Sequence, residues 1–224
     1  MLCIIQARLS SKRLPSKMFK KILNKTLIDR IIYQISKSKK IKKIIIATSN
    51  HRSDDLLENY CKKKKISFYR GSLNNVAERF YEISKNSSFN SFLRINGDSP
   101  LIDHKLIDHF INYFEKNNYE ILTNSFPRTF PKGQGIEIIR SELFQKEFKK
   151  IKSKNDLEHV FPYFYRNKSR YRIKNINCKQ NLNKINLSID THKDLLRIRN
   201  LLASSNNKIP SLNKLINKNM KLYY

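Results

Sequence analysis

The chain of 224 residues contains no long apolar run of about 18 residues, so we expect no helix that crosses a membrane. Its first apolar run is too short for a signal peptide, and no charged leader or cleavage site accompanies it. Cysteine is scarce: Cys3, Cys61 and Cys178 are odd in number, widely spaced and without a CxxC pair. We therefore expect reduced thiols in a cytoplasmic protein, which excludes a disulfide framework and a zinc site.

Glycine and proline are also few, at 4 and 6 residues, whereas Lys, Asn, Ile, Phe and Tyr are abundant. This combination indicates drift in an AT-rich genome, since the abundant residues have AT-rich codons. The formal net charge of +28 would otherwise suggest a nucleic-acid partner. Because codon bias also favours lysine, this charge is weaker evidence for such a partner. Lysine runs such as residues 62–65 fall at expected helix ends, where lysine complements the helix dipole. Aromatic residues are not interleaved with these runs, so RNA binding is the weaker alternative and we expect no nucleic-acid partner.

The apolar pattern of the first half alternates strands with helices. Short buried runs predict strands at residues 2–5, 43–48, 66–70 and 91–96. Amphipathic spacing predicts helices at residues 26–37, from Ser53 onward, at 75–85 and after Pro100. This order predicts a mostly parallel sheet with helices on both faces.

The second half breaks this rhythm after residue 123. Residues 124–135 hold two prolines and two glycines and are predicted to form a loop. We then expect strands at 135–139 and 185–189, and helices at 141–150, 156–165 and 191–203. No internal repeat or linker is visible, which predicts one domain over residues 1–203 followed by a basic tail or helix over 204–224.

A basic loop follows the first predicted strand, which stops at Gln6. The next dozen residues contain four cations, Arg8, Lys12, Arg13 and Lys17. A buried strand that leads into a polar, cationic loop is how α/β proteins hold a polyanion. Backbone N–H groups bind phosphate oxygens there, and Arg and Lys neutralise the charge. From charge alone, an ordinary basic surface loop is equally consistent.

The order of residues in this loop, from Gln6 to Lys17, resembles the signature of the cytidylyltransferases that make CMP-activated sugars. These are the CMP-Kdo and CMP-acylneuraminate synthetases and, above all, the spore-coat polysaccharide biosynthesis protein F branch. That branch reads Gln-Ala-Arg-x-x-Ser-x-Arg-Leu-Pro-Gly-Lys, and the one departure here is Ser16 in place of glycine. A left-handed backbone at this position would cost serine roughly 1 kcal/mol over glycine. The resemblance implies CTP binding by Gln6, Ala7, Arg8, Ser11, Arg13 and Lys17, with Arg8 and Lys17 also catalytic.

Asp98 is the first candidate for a metal ligand. It follows a predicted strand, where a carboxylate can hold Mg²⁺ near a triphosphate, although a helix cap is the simpler alternative. The segment from Asn96 to Ile102 resembles the family's Gly-Asp-Cys/Glu-Pro-Leu-Ile motif, whose aspartate binds the metal. Ser99 departs from the usual Cys or Glu.

Asp190 is the second candidate, because it follows the predicted strand at residues 185–189. The segment from Leu187 to Thr191 resembles the family's Leu-Thr-Val-Asp-Thr, whose aspartate completes the metal site. The alternative is a capping role at the helix that follows. The resemblance implies that Asp98 and Asp190 are catalytic and hold Mg²⁺ at one rim of a parallel sheet.

Two further segments resemble family motifs that contact cytidine and the sugar. Residues 70–79 resemble Arg-Gly-Ser-x-x-x-Val-x-x-Arg, which implies recognition of cytosine and ribose by Arg70, Ser72, Val76 and Arg79. Residues 158–163 resemble Glu-His-Val-Thr-Pro-Tyr, which implies that Glu158 and His159 orient or deprotonate a sugar hydroxyl. A helical ion pair or a buried core histidine is the alternative for these two residues.

Glu137 follows a glycine-containing loop that resembles the family's Gly-Leu-Asp-Val-Glu-Val, and this implies sugar binding. Gly135 stands where an aspartate is common, which leaves the identity of the sugar open.

The resemblance extends from Leu2 to about Leu196. It implies a nucleotide-diphospho-sugar transferase fold, a Rossmann-like α/β/α sandwich, and the transfer of CMP from CTP to a sugar acid with release of pyrophosphate. The implied partners are CTP, Mg²⁺ and a Kdo-like or nonulosonic acid for surface polysaccharide, with a homodimer as one option and no membrane partner. A glycosyltransferase or a non-catalytic nucleotide-binding module on the same fold is the alternative, because fold alone does not decide chemistry.

Overall fold

The computed structural model describes residues 1–204, which fold around one seven-stranded sheet and a short two-stranded ribbon. The strands are β1 (Leu2–Gln6), β2 (Lys21–Ile22), β3 (Lys25–Thr26), β4 (Lys43–Ser49), β5 (Ser67–Gly71), β6 (Ser91–Asn96), β7 (Ile121–Thr123), β8 (Glu137–Arg140) and β9 (Ile173–Asn175). The helices are α1 (Leu27–Ser36), α2 (Asp55–Lys64), α3 (Val76–Lys85), α4 (His104–Lys116), α5 (Ser141–Glu147), α6 (Lys154–His159), α7 (Pro162–Arg166) and α8 (His192–Ala203).

The sheet has the order β5-β4-β1-β6-β8-β7-β9. Strands β5, β4, β1 and β6 are parallel, whereas β8 runs antiparallel to both β6 and β7. In the parallel part the last residues pair with one another, Gln6 with Asn96 and Ser49 with Gly71. The loops that follow these strands therefore lie at one edge of the sheet, where α/β proteins bind ligands. The predicted Rossmann-like sandwich with a mostly parallel sheet is confirmed.

Apolar side chains cover the sheet on both faces. Alternate residues of β1 point to opposite sides, because successive side chains of a strand do so. Cys3 and Ile5 pack in a cluster with α1, α4 and α8, and Leu2 and Ile4 pack in a second, aromatic-rich cluster with α3, α5 and α7. No helix among residues 1–204 is long and apolar enough to cross a membrane.

Several predicted elements differ from the structure. The strand expected at residues 185–189 is wrong, since that segment makes one isolated bridge, from Asn186 to Lys132. The helix expected at 156–165 is two helices, α6 and α7, because Val160 has a positive φ of 71°. The helix expected from Ser53 onward begins at Asp55, with Asp54 in the N-cap position. Residues 205–224 of the expected tail lie outside the described residues.

Candidate active site

Residues 7–17, the basic loop, are fixed to the sheet by their backbone. The amide of Leu9 donates to the Asp54 carboxylate at 2.7 Å, and the amide of Ala7 donates to the carbonyl of Ala47 at 3.2 Å. Asp54 is fully buried and also accepts from the backbone and hydroxyl of Ser49. The apolar side chains of the loop are buried, so its backbone is held while its cations stay near the surface.

Ser16 occupies the left-handed conformation, with φ 52° and ψ 32°. The sequence departs from the family signature at this position, where serine replaces glycine. The cost of roughly 1 kcal/mol relative to glycine therefore applies here. The hydrogen bond from the Ser16 amide to the Leu9 carbonyl, at 3.1 Å, closes the loop around this residue.

A cleft of about 690 Å³, here called the first cleft, opens beside the basic loop. Eleven of its lining residues are among those predicted from the sequence: Gln6, Ala7, Arg8, Ser11, Arg13, Lys17, Arg79, Asp98, Glu158, His159 and Asp190. The structure therefore brings together the loop, both candidate metal ligands and the Glu-His pair at the carboxyl edge of the sheet.

Asp190 is the electrostatic centre of the first cleft. Its carboxylate accepts from the Lys17 ammonium at 3.2 Å and the Lys132 ammonium at 2.7 Å, and the Arg13 guanidinium lies at 3.5 Å. Burial acts to raise the pKa of Asp190, but the hydrogen bond from Lys132 and the charge of Lys17 hold that pKa below its usual range. Asp190 is therefore ionised at neutral pH and organises three cations.

Asp98 lies beside Asp190 although the two residues are far apart in sequence. The Ile189 amide donates to the Asp98 carbonyl at 2.8 Å, so the two segments are joined one residue before Asp190. Gly97 lies against the end of β1, where a Cβ atom would be 2.6 Å from the Gln6 carbonyl oxygen, so a glycine there lets the Asp98 segment stay close to the sheet edge. Asp190 thus reaches the sheet edge through one backbone hydrogen bond instead of through a strand of the sheet.

The two carboxylates form a donor set that suits Mg²⁺, which prefers oxygen ligands and keeps several waters or phosphate oxygens. Within residues 1–204, the Asp98 carboxylate accepts a hydrogen bond only from the hydroxyl of its neighbour Ser99, at 2.8 Å. No group of three or more His, Cys, Asp or Glu side chains gathers anywhere in that described range. The residues fit a metal whose remaining ligands come from a triphosphate.

Glu158 and His159 end helix α6 at the first cleft. The Arg8 guanidinium lies 2.9 Å from the Glu158 carboxylate, and the Gln6 amide donates to the Glu158 carbonyl at 3.3 Å. These contacts connect the basic loop to a helix 150 residues later in the chain. His159 lines both the first cleft and a second one.

The second cleft, of about 230 Å³, continues from the first, and the two share Arg94, Asn96, Asp98 and His159. Glu137 lines it but is buried and already engaged, since it pairs with Arg94 and accepts from the Tyr165 hydroxyl at 2.6 Å. Arg94 also donates to the Gln6 side chain at 2.9 Å. Burial raises the pKa of Tyr165 well above its usual value, so the phenol remains a donor. A continuous buried network therefore joins the two clefts.

Arg128 is the cation of the second cleft that has no ion pair or hydrogen bond from its side chain within residues 1–204. The turn that carries Arg128 is nevertheless fixed by hydrogen bonds and by ring stacking. Asn175 accepts from the Phe126 amide and donates to the Pro127 carbonyl, both at 3.1 Å. Phe126 stacks on Tyr165 with ring centroids 4.7 Å apart. A fixed turn thus presents a free positive charge to this cleft.

Three predicted cytidine-binding residues do not line either cleft. Arg70 pairs with Asp55 at 2.7 Å and with Glu58, on the outer side of helix α2. The Ser72 hydroxyl accepts from the Asn75 amide at 3.2 Å, and Val76 is buried at the start of α3. The structure separates these side chains from the basic loop.

Arg79 lines the first cleft, yet its side chain is fully buried. It donates to the carbonyls of Ser72 and Leu73 at 2.8 and 2.9 Å. Burial lowers the pKa of Arg79 to about 10, which leaves it charged at neutral pH. Arg79 therefore fixes the turn before α3, and that turn contributes Leu73 and Asn74 to the cleft.

The sequence prediction missed Arg94, Asn96, Arg128 and Lys132, which all line a cleft. One signal was available for Arg94, because a charged residue in the middle of an apolar strand needs a buried partner. Arg128 and Lys132 lie in an irregular loop, and their position depends on contacts with β9 and Asp190 that no local pattern indicates.

Comparison with known proteins agrees with this geometry. The family model described as Cytidylyltransferase matches residues 2–224. A solved structure of a cytidylyltransferase from Leptospira borgpetersenii superposes with a TM-score of 0.82 at 27% identity, covering 99% of this chain and 98% of that one.

Sequence relatives point the same way. The uncharacterized protein MJ1063 of Methanocaldococcus jannaschii is 34% identical over 85% of this chain and 78% of its own length. The spore coat polysaccharide biosynthesis protein SpsF of Bacillus subtilis is 29% identical, over 89% and 85%. The 3-deoxy-manno-octulosonate cytidylyltransferase of Rickettsia prowazekii is 31% identical over 54% of this chain and 49% of its own. The chain is therefore a nucleotidyltransferase that belongs to the cytidylyltransferase family.

Proposed function

We propose that this enzyme transfers CMP from CTP to a sugar acid, with release of pyrophosphate, for the synthesis of a surface polysaccharide. The observation that carries the proposal is that a cationic loop, two carboxylates and a free arginine line two joined clefts. Two relatives, one named for spore coat polysaccharide biosynthesis and one named 3-deoxy-manno-octulosonate cytidylyltransferase, support the same substrate class.

The basic loop supplies the charge that nucleotidyl transfer requires. Phosphoryl transfer asks mainly for positioning and charge stabilisation, because charge spreads over the phosphate oxygens in the transition state. Arg8, Arg13 and Lys17 all line the first cleft and would hold the triphosphate of CTP. Their charge would also stabilise the departing pyrophosphate.

Asp98 and Asp190 would hold Mg²⁺ in the first cleft. When bound, the ion would withdraw charge from the α-phosphate and so make it more electrophilic. Asp190 also orders Lys17 and Lys132, so this carboxylate has a second role in keeping the cations in place.

The nucleoside end of CTP would lie against the turn that Arg79 holds. Cytosine presents an exocyclic amine and two acceptors, and the turn offers backbone polar groups together with the Asn74 side chain. Leu73 and Asn74 both line the first cleft. In this proposal Arg79 acts on the base through the turn, whereas Arg70 serves the surface of helix α2.

The sugar acid would occupy the second cleft. Arg128 would bind its carboxylate, since charge-assisted pairs with arginine are strong and directional. His159 lines both clefts and would accept the proton of the attacking hydroxyl, because imidazole titrates near neutral pH.

A screen of CMP-sugar formation tests the proposal. The enzyme would be incubated with CTP, Mg²⁺ and a panel of Kdo-like and nonulosonic acids, and products separated by anion-exchange chromatography. We expect at least one acid to give a CMP-sugar and pyrophosphate in equal amounts. Transfer from a finished nucleotide-sugar to an acceptor, with no product from CTP, would instead identify a glycosyltransferase.

A further inference from the structure

Val160 has a backbone conformation that valine rarely adopts. Its φ is 71° and its ψ is −53°, and the Phe161 amide donates to the His159 carbonyl at 2.8 Å. These features define the rare, strained form of the γ-turn. Ser16 and Lys65 also have positive φ but lie in the ordinary left-handed region, which is less strained. A β-branched side chain makes the conformation at Val160 less favourable still.

The surroundings of Val160 hold this conformation in place. Its side chain is fully buried among aromatic residues that include Phe161 and Phe164. Its amide donates to the Asp156 carbonyl at 2.8 Å, and the Asp156 carboxylate pairs with Arg166 of the next helix. Strained backbone persists only where its environment fixes it from several sides, and it occurs most often at functional sites.

The turn has a direct consequence for the first cleft. Helix α6 ends at His159, one residue before the turn, and α7 begins at Pro162 in a new direction. Glu158 is thereby held against Gln6 and Arg8, and His159 is placed where the two clefts meet. A single helix through this segment, as the sequence pattern predicts, would carry the chain past the cleft.

We propose that Val160 is a positioning residue: its strained turn, fixed by the buried side chain, places His159 between the two clefts and Glu158 on the basic loop. This inference rests on the proposed function for the role of His159. Glycine would adopt the same φ without strain but would have no side chain to fix the turn. Valine therefore fixes the turn in one conformation, although its own backbone is strained there.

A comparison of alanine and glycine variants tests the strain. At an ordinary buried position alanine is more stable than glycine, because glycine loses more backbone entropy on folding. At Val160 we expect the reverse, with V160G melting about 2–4 °C above V160A. The matched control is Ile151, which is buried in the same cluster but has a φ of −79°. I151A should melt above I151G, and V160A melting above V160G would overturn the strain argument.

Turnover and the His159 signal test the positioning role. Per folded molecule, V160A should lose about 10- to 100-fold in kcat, with V160G between it and the wild type. The KM for CTP should change by less than about threefold, since Arg13 and Lys17 pair with Asp190 and not with helix α6. The I151A variant should keep wild-type kcat. Wild-type kcat in folded V160A and V160G would overturn the positioning role.

A measurement that needs no turnover separates this inference from the proposed function. In proton NMR, the His159 imidazole signal, assigned with H159Q, should shift when CTP and Mg²⁺ are added to the wild type. That shift should be reduced in V160A and unchanged in I151A. If the wild type formed no CMP-sugar, the proposed function would fail, whereas an unchanged His159 response in V160A would defeat the role of Val160 alone.

Discussion

The first and second clefts adjoin each other, yet they are built in different ways. One side of the first cleft comes from one contiguous stretch, from Gln6 to Lys17, whose backbone is tied to the sheet and to Asp54. The second cleft is assembled from β6, β8, the loop at residues 124–135 and the start of α7. A site carried by one loop can be recognised from a short motif, whereas an assembled site depends on the whole fold.

The largest expected effect is on the two carboxylates of the first cleft, Asp98 and Asp190. Asp190→Asn should reduce kcat by about 10²- to 10⁴-fold, because this carboxylate orders Lys17 and Lys132 and, in the proposed mechanism, also holds Mg²⁺. Asp98→Asn should have a similar effect, and the double variant should be little worse, since groups that act as a unit are not additive.

The control for these variants is Asp55→Asn, an exposed carboxylate that pairs with Arg70 outside both clefts. It should keep wild-type turnover. Steady-state kinetics over a range of Mg²⁺ concentrations is the measurement. Wild-type kcat in either Asp98→Asn or Asp190→Asn would contradict the shared role.

The next largest effect is expected in the second cleft alone. Arg128→Gln should raise the KM for the sugar acid by about 10- to 100-fold, the value of a charge-assisted hydrogen bond, and leave CTP binding unchanged. The wild type should discriminate against the neutral amide of the same sugar acid, and Arg128→Gln should lose that discrimination. Arg170→Gln, which removes an exposed charge outside both clefts, is the matched control. Equal effects on CTP and on the acid would contradict a role confined to the second cleft.

The contrast between a site carried by one loop and a site assembled from distant segments also explains what the sequence could predict. Strands β1, β4, β5 and β6 have short apolar runs, and the parallel sheet follows from their order. Thr26 and Thr191 form capping boxes at the starts of α1 and α8, which are local patterns that a sequence can reveal. The strand predicted before Asp190 failed because alternation of apolar residues also suits an extended segment that packs without a ladder. Pro162, at the start of α7, was a local signal for a break in the predicted helix. The positive φ of Val160 had no glycine to indicate it, because buried packing imposes that conformation.

The pH dependence of stability tests how Asp194 supports the segment that carries Asp190. Burial acts to raise its pKa, but hydrogen bonds from Thr191, Arg197 and the Asp190 amide lower that pKa to about 2. A carboxylate with a depressed pKa stabilises the fold above its unfolded value of about 3.9 and loses this effect as the pH falls through 2. Asp194→Asn should therefore cost about 1–2 kcal/mol at pH 7, and the difference from wild type should shrink between pH 4 and 2.

Urea unfolding from pH 7 down to pH 2 provides this measurement. Glu142→Gln is the control, because Glu142 is an exposed acid in the first turn of α5. Its stability difference from wild type should stay small across the range. A constant difference for Asp194→Asn from pH 7 to pH 2 would contradict the depressed pKa.

The smallest effect is expected far from both clefts, on helix α2. Its last turn carries Lys62, Lys63 and Lys64 on the exposed surface. Changing Lys63 and Lys64 to glutamine should alter stability by less than about 1 kcal/mol and leave kcat unchanged. Binding of a single-stranded RNA, measured at several salt concentrations, should also stay weak and unchanged. A large loss of turnover or of RNA binding would show that this charge has a partner.

The central claim, attack of a sugar acid on the α-phosphate of CTP, is tested most directly by phosphorus NMR of a single reaction mixture. The three resonances of CTP should be replaced by one phosphodiester resonance, that of the CMP-sugar, and by the resonance of pyrophosphate, in a constant ratio. Asp190→Asn under the same conditions should leave the CTP resonances in place. Formation of CDP together with orthophosphate, or of CDP together with a sugar phosphate, would place the attack on the γ-phosphate and contradict the account.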